Sequence, residues 1–234
     1  MEIQLEKYHL KSSSFFDFLS AQDAKQIKKS LTRKEYAKGD TLFEEDSFPL
    51  GVYIIRKGKV KIFQLNQDGK QSIVYIYRKG DYFGYRPLLA GQQHPVSAIA
   101  MDNVVVSFIS KDIFLNMIDK SGAFAKKLLI NMAKEFSVWV NKITTFSQRG
   151  VKERVALSLL ILNWIYRRDE HSEKTSTISI NRDDFAGFVG TAKETLVRTL
   201  RHFKDEKIIA TKGTKIQIIN YSALLEMVNA IWNA

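Results

Sequence analysis

The chain has 234 residues, 45% of them hydrophobic, enough to build real cores in two ordinary domains. Its formal charge is +11 with a pI near 9.6, which favours a polyanionic partner and, taken alone, fits nucleic acid or anionic lipid. The absence of cysteine excludes disulfides, thiolate metal sites and cysteine-ligated iron–sulfur clusters.

The N-terminus MEIQLEKYHL lacks a signal peptide's apolar region, and no run approaches the ~18–20 apolar residues of a membrane span. A cytoplasmic protein with no membrane partner is expected. Residues 1–30 are polar with scattered apolar positions (Phe15, Phe16, Phe18, Leu19, Ile27, and Leu31 just beyond), a pattern of short helices laid against a neighbouring domain. From about Lys34 to Ser110 the texture is β-rich runs separated by glycine-bearing turns. The runs are Thr41–Phe43, Gly51–Arg56, Lys59–Leu65, Ser72–Tyr77, Ser97–Met101 and Val104–Ile109. Many short strands at this spacing predict an antiparallel barrel or sandwich, read here as a jelly-roll-like β-roll spanning 1–120.

Ser110 stands as N-cap of a following helix, and after Ser121-Gly122 a long helical run extends to about Ser147. Its apolar positions Leu129, Met132, Phe136, Trp139, Ile143 and Phe146 advance by alternating threes and fours, an a/d seam. Such a stripe is most often core packing. Here Phe124, Leu128 and Val138 add apolar surface on another side, so residues 121–148 are expected to be a homodimer helix. Gln148-Arg149-Gly150 is a candidate hinge to a domain over 149–234. That domain opens with a helix, Val151 to Arg168, whose face is Val155, Leu159, Leu162 and Ile165. A polar loop over 169–176 and a short strand at Thr177–Ile180 follow.

Residues 181–206 read as two short helices around a tight turn. Asn181 is an N-cap with Asp183 and Asp184 in the first turn, Phe185, Phe188 and Val189 form an apolar face, and Gly190 suits a helix C-terminus. Thr191 and Glu194 have capping-box spacing for the second helix. That helix buries Leu196, Leu200 and Phe203 and turns Lys193, Arg198 and Arg201 elsewhere. An amphipathic pair with a solvated basic face would look the same. The next segment decides against it: two β-rich runs flank Lys212-Gly213-Thr214-Lys215, a hairpin with a basic tip. Helix-turn-helix plus basic hairpin is a winged helix, and Thr191, Lys193, Glu194, Thr195, Arg198, Arg201, Lys212, Thr214 and Lys215 are its candidate DNA contacts. A last amphipathic helix runs from Tyr221 to Trp232.

This α+β layout, an N-terminal antiparallel β-roll, a long dimerisation helix and a C-terminal winged helix-turn-helix, resembles the CRP/FNR family of bacterial transcription regulators over about residues 30–220. Lys193-Glu194-Thr195-Leu196-Val197-Arg198 is similar to the family's Arg-Glu-Thr-x-x-Arg, with Lys for the first Arg, and Lys79-Gly-Asp-Tyr-Phe-Gly84 looks like the Gly-Asp-x-x-Gly turn of its cyclic-nucleotide-binding roll. The resemblance implies palindromic double-stranded DNA as ligand, a homodimer, and RNA polymerase as a further partner. It makes Glu194 and Arg198 base readers and Lys193 a base or phosphate contact. The chemistry agrees, since Arg pairs with guanine O6/N7 and a carboxylate accepts from cytosine N4. The competing role for Glu194 is closure of the capping box.

The implied effector pocket, Gly84, Tyr85, Arg86, His94, Val96 and Ser97, departs from the family. Members that bind cyclic AMP have Gly-Glu-Leu and Arg-Ser/Ala-Ala there. This chain has Gly84-Tyr85-Arg86 and His94-Pro95-Val96-Ser97, so cyclic AMP is not expected in the usual pose, and whether another small-molecule effector binds, and which, stays open at this point. Arg86 and His94 read as loop-edge surface residues. His9, His94, His171 and His202 have no metal-ligand spacing, and no P-loop, GxSxG or HExxH appears, so neither a metal site nor an enzyme is expected. A cyclic-nucleotide-type module docking a protein through its winged helix is the alternative, and such a surface has no need of both a basic second helix and a Lys-rich tip.

Overall fold

The glycine-punctuated β-rich runs fold as eight strands: β1 (Thr32–Tyr36), β2 (Thr41–Phe43), β3 (Gly51–Lys57), β4 (Lys59–Leu65), β5 (Gln71–Arg78), β6 (Tyr82–Phe83), β7 (Ser97–Ala100) and β8 (Val104–Ser110). The computed structural model describes residues 5–10, 15–167 and 176–229. The strands form two sheets ordered β1-β8-β3-β6 and β2-β7-β4-β5. β1 and β6 are not among the strands expected from sequence. β1 (TRKEY) is a charged edge strand held by its register on β8, and β6 has two residues, too few for a period.

Strand β3 is apolar without alternation because both of its faces are covered. Tyr53 turns between the sheets, with ring centroids 5.7 Å from Phe43 and 5.4 Å from Phe83. Val52 and Ile54 turn the other way, into a cluster with Phe15, Ile27, Tyr82, Phe114, Phe124 and Leu128. Helices α1 (Ala21–Lys29), α2 (Tyr85–Ala90) and α3 (Lys111–Lys120) and the 3₁₀ turn Phe15–Phe18 surround that cluster. The short helices expected near the N-terminus therefore cover the roll's own core.

Helix α4 (Gly122–Gln148) starts in the same cluster. Phe124 and Leu128 are buried there, and Asn131 and Glu135 continue the same face as buried polar groups. The opposite face is bare: Leu129 is 65% exposed, Phe136 70% and Ile143 66%, with Val140 and Ala133 between them.

The chain divides into two units, one of Leu10–Gln64 and Val74–Phe136, the other of residues up to His9, Leu65–Ile73 and everything from Ser137 onward. The second unit centres on α5 (Val151–Tyr166), which is buried on all sides from Val155 to Asn163 rather than on the single predicted face. Around it stand α6 (Arg182–Val189), α7 (Lys193–Asp205) and α8 (Tyr221–Asn229), with a sheet of β9 (Thr177–Ser179), β10 (Ile209–Lys212) and β11 (Lys215–Ile218) ordered β10-β11-β9. α8 buries Leu224 and Val228 and is tied to the α5 start by Arg149, whose Nη1 donates to the Val228 carbonyl at 2.6 Å. The predicted loop at 169–176 and Trp232 lie outside the described residues, apart from Ser176.

Phe124 has no exposed surface and meets Phe15 and Phe114 edge-on at 5.5 and 6.0 Å. Phe124→Ala should destabilise the roll by ~3–5 kcal/mol, whereas Phe48→Ala on the exposed β2–β3 loop should stay within ~0.5 kcal/mol. Urea unfolding of the two variants checks the difference.

Candidate nucleic-acid interface and roll pocket

Asn181 caps α6 as its residue type predicts, its Oδ1 accepting from the Asp184 N–H at 2.7 Å. Gly190 ends the helix in the left-handed region at φ 71°. The Thr191–Glu194 capping box does not form. The Thr191 N–H bonds to the Ala186 carbonyl at 3.1 Å, which spends Thr191 on closing α6. The N-cap of α7 is therefore Ala192, with no side-chain cap, and Glu194 falls one position too early to reach back. Its carboxylate has no hydrogen bond or ion pair among the described residues.

Leu196, Leu200 and Phe203 are buried and fix the roll angle of α7. Glu194, Arg198 and Arg201, at i, i+4 and i+7, then share the exposed face, and neither arginine has a partner among the described residues. Lys193 is exposed and paired with Asp183 at 2.9 Å, while Thr191 and Thr195 are half-buried beside it. Lys212, Thr214 and Lys215 are exposed at the β10–β11 tip, where Gly213 takes φ +58°. Two arginines that sequence alone did not single out hold this surface. Arg154 of α5 donates to the Val189 and Gly190 carbonyls at 3.3 and 3.0 Å, and Arg182 donates to the Gly213 carbonyl at 3.1 Å. Both are non-local contacts that no local spacing announces.

Of the six seam residues predicted on α4, Leu129, Phe136 and Ile143 form the exposed stripe. Met132, Trp139 and Phe146 are half-buried, and Met132 packs against the roll core. Ala133 and Val140 are exposed on the same side of the helix as these three.

In the roll, Gly80 (φ 97°) and Asp81, whose carboxylate accepts from the Arg78 N–H at 2.8 Å, make the turn that leads to Gly84. Gly84 takes φ 89°, and a Cβ there would lie 3.1 Å from the Gly51 carbonyl oxygen. A cavity of about 140 Å³ opens beside it, with Gly84, Arg86, His94 and Val96 in its wall, joined by Phe43, Ile62, Tyr77, Phe83, Pro87 and Gln92. Tyr85 and Ser97 do not line it. As the first residue of α2, Tyr85 points inward, where its hydroxyl accepts from Asn131 Nδ2 at 3.3 Å. The Ser97 hydroxyl accepts from the Glu45 N–H at 2.9 Å.

His94 is not a surface residue. It is 2% exposed and stacks flat on Phe43 at 3.7 Å, and burial pushes its pKa down to about 4, so it is neutral near pH 7. Arg86 is not a plain surface residue either. It lines the cavity, bonds Tyr77, and faces Glu135 of α4 with Nε 3.9 Å from Oε2. Burial raises the pKa of Glu135, opposed by Arg86 and by hydrogen bonds from Tyr85 and Asn131. The described residues contain no group of side chains able to hold a metal ion, and no helix long and apolar enough to cross a membrane.

Residues 33–121 match the cyclic nucleotide-binding domain family, and residues 153–227 match the Crp-like helix-turn-helix domain family. The chain is 26% identical over 210 residues to the fumarate and nitrate reduction regulatory protein of Vibrio cholerae, covering 89% of this chain and 84% of that protein. It shares its fold with FixK2 from Bradyrhizobium japonicum (TM-score 0.74, 22% identity, 84% of this chain and 96% of that one). It also shares it with a protein of Eubacterium rectale described as a CRP/FNR-family transcriptional regulator (TM-score 0.75, 21% identity, 92% and 97%). With a cyclic-nucleotide-binding-type roll and a Crp-like helix-turn-helix in tandem, and a fumarate and nitrate reduction regulatory protein similar along most of its length, the chain belongs to the CRP/FNR family of transcription regulators, which are not enzymes.

Proposed function

We propose that two copies pair through the exposed stripe on α4 and that α7 of each copy reads one half of a palindromic DNA site. The observation that carries this is the outer face of α7, where Glu194, Arg198 and Arg201 stand together without partners among the described residues while Leu196, Leu200 and Phe203 anchor the other side. In this reading Arg198 and Glu194 contact base edges. Lys193, Thr191, Thr195 and Arg201 flank them, and Lys212, Thr214 and Lys215 of the wing reach phosphates. The protein acts in the cytoplasm, on promoters and hence on RNA polymerase. A small molecule in the roll pocket sets its activity. Cyclic AMP in the family's pose does not fit that role, because neutral His94 stands where a phosphate-binding arginine would.

Half-site centres should lie about one helical turn, ~34 Å, apart. Arg198→Ala should weaken binding by ~1–3 kcal/mol per half-site and relax preference at one base pair. Lys212→Ala should weaken all sequences alike and reduce the salt slope by about one. Binding-site selection at ~150 mM salt checks both, and wild type without any sequence preference there defeats the base-reading assignment.

Phe136 is 70% exposed in a single chain, so Phe136→Glu should fold normally. Two such carboxylates facing each other across a desolvated seam should leave a monomer that no longer holds palindromic DNA. Sedimentation velocity gives the answer, and an intact dimer moves the interface off this stripe. Calorimetry with cyclic AMP should show no micromolar binding; a micromolar Kd overturns the assignment of His94 to the phosphate position.

A further inference from the structure

We propose that the roll pocket takes a small carboxylate-bearing molecule with an apolar body of about one ring, and that its anionic group replaces Glu135 of α4 as the carboxylate paired with the Arg86 guanidinium. This rests on the effector reading above and gives it a chemical class and a route to α4.

Size and wall set the body of the ligand. A cavity of about 140 Å³ is close to the ~150 Å³ that holds a benzene ring, and its wall here is aromatic and aliphatic, with Phe43, Tyr77, Phe83 and Ile62 in it. Charge sets the rest. Among the lining residues Arg86 alone is charged near neutral pH, since His94 is held neutral by burial and Gln92 and Gln93 are amides.

The ion pair that Arg86 makes with Glu135 is a poor one. Glu135 is 7% exposed, yet its Oε2 stays 3.9 Å from Arg86 Nε and accepts no hydrogen bond among the described residues. Its other oxygen accepts from Asn131 Nδ2 at 3.1 Å. The other ionisable groups in electrostatic contact with this pair are the Tyr75, Tyr77, Tyr82 and Tyr85 hydroxyls, all raised by burial and by Glu135; Asp81 also raises Tyr75, Tyr77 and Tyr82, and none of these groups is a second cation. A mobile carboxylate can meet the guanidinium face-on at ~2.8 Å through two parallel N–H···O bonds, a geometry that Glu135, fixed on a helix, does not reach.

The charges then balance as follows. The ligand enters with one negative charge and pairs with Arg86. Glu135, deprived of its cation in a desolvated site, takes a proton from solvent and becomes neutral. Occupancy of the pocket is thereby written as a change of charge under α4, at the residue next to Phe136 of the exposed stripe.

Calorimetric titration of the full chain with benzoate, with benzyl alcohol and with inorganic phosphate tests this, run near pH 7 in two buffers of different ionisation enthalpy. Benzoate should bind at least about tenfold tighter than benzyl alcohol, with net proton uptake. Glu135→Gln, nearly isosteric, should abolish the uptake and strengthen benzoate by about tenfold, because the competitor for Arg86 is gone. The double variant Arg86→Gln, Glu135→Gln, which removes both charges of the pair together, should bind benzoate and benzyl alcohol alike. Equal affinity of these two for wild type overturns the anionic class and leaves a neutral-ligand pocket. Phosphate binding as tightly as benzoate overturns the one-ring body. Proton uptake that persists in Glu135→Gln, or an affinity no tighter than wild type's, overturns the exchange at Glu135. Failure of all three probes to bind removes the effector reading together with this proposal.

Discussion

Helix α4 carries more apolar surface than one chain covers, and the consequences of that excess run through the molecule. Phe124 and Leu128 bury themselves in the roll core. Leu129, Phe136, Val140 and Ile143 on the other side remain in water. Large side chains of this kind contribute ~1.5–3 kcal/mol each on full burial, so four of them outweigh the lost freedom of association only if covered by a complementary surface. A second copy offers that complement by symmetry, since each stripe residue then meets its own kind or a neighbour across a two-fold axis. The heptad recurrence of 129, 136 and 143 along α4 would give the proposed pairing a register as well as a driving force.

The same helix carries two polar residues on its buried side, which a purely packing helix would replace with leucine. Asn131 and Glu135 form a small network with Tyr85 and Arg86. A buried ion pair with this separation contributes little net stability, because desolvation offsets most of the attraction. Its effect is instead to make the packing between α2 and α4 depend on charge. A helix held entirely by methyl groups cannot report on a pocket, whereas one that shares an arginine with the pocket can.

How much of this was legible in the sequence follows from which forces are local. The helix-turn-helix was, because Asn181 capping, Gly190 and the Leu196–Leu200–Phe203 stripe act within a turn or two of chain. Strand β1 was not, because its five residues are mostly charged and it exists by pairing with β8. The Thr191–Glu194 spacing misled because Thr191 was also needed to close α6, and backbone hydrogen bonding took precedence over a side-chain cap. Of the expected α4 seam, Leu129, Phe136 and Ile143 are exposed in the single chain while Met132, Trp139 and Phe146 are half-buried. Periodicity fixes which residues share a face, and only tertiary packing decides which face is covered. The pocket was least legible. Position in a motif placed Tyr85 in it, but the first turn of α2 aims that ring at Asn131 and leaves Arg86 facing the cavity.

At the DNA-facing end, the division between held and unheld side chains carries its own logic. Arg154 and Arg182, which bond to main-chain carbonyls, fix where α6 and the β10–β11 tip sit. Glu194, Arg198 and Arg201 have no hydrogen bond or ion pair among the described residues, so in the proposed complex none would have to break a contact before meeting a base. Lys193 is intermediate. Its pairing with Asp183 is exposed on both sides, and such pairs are worth ~0–1 kcal/mol, so a phosphate can displace the carboxylate at little expense. Until it does, Asp183 keeps the ammonium beside the start of α7 instead of free in solvent. In the proposed complex the pair would therefore cost little affinity while restricting where Lys193 meets DNA, and a rigid frame with weakly tethered cations at its edge would let positioning contacts form without dictating sequence.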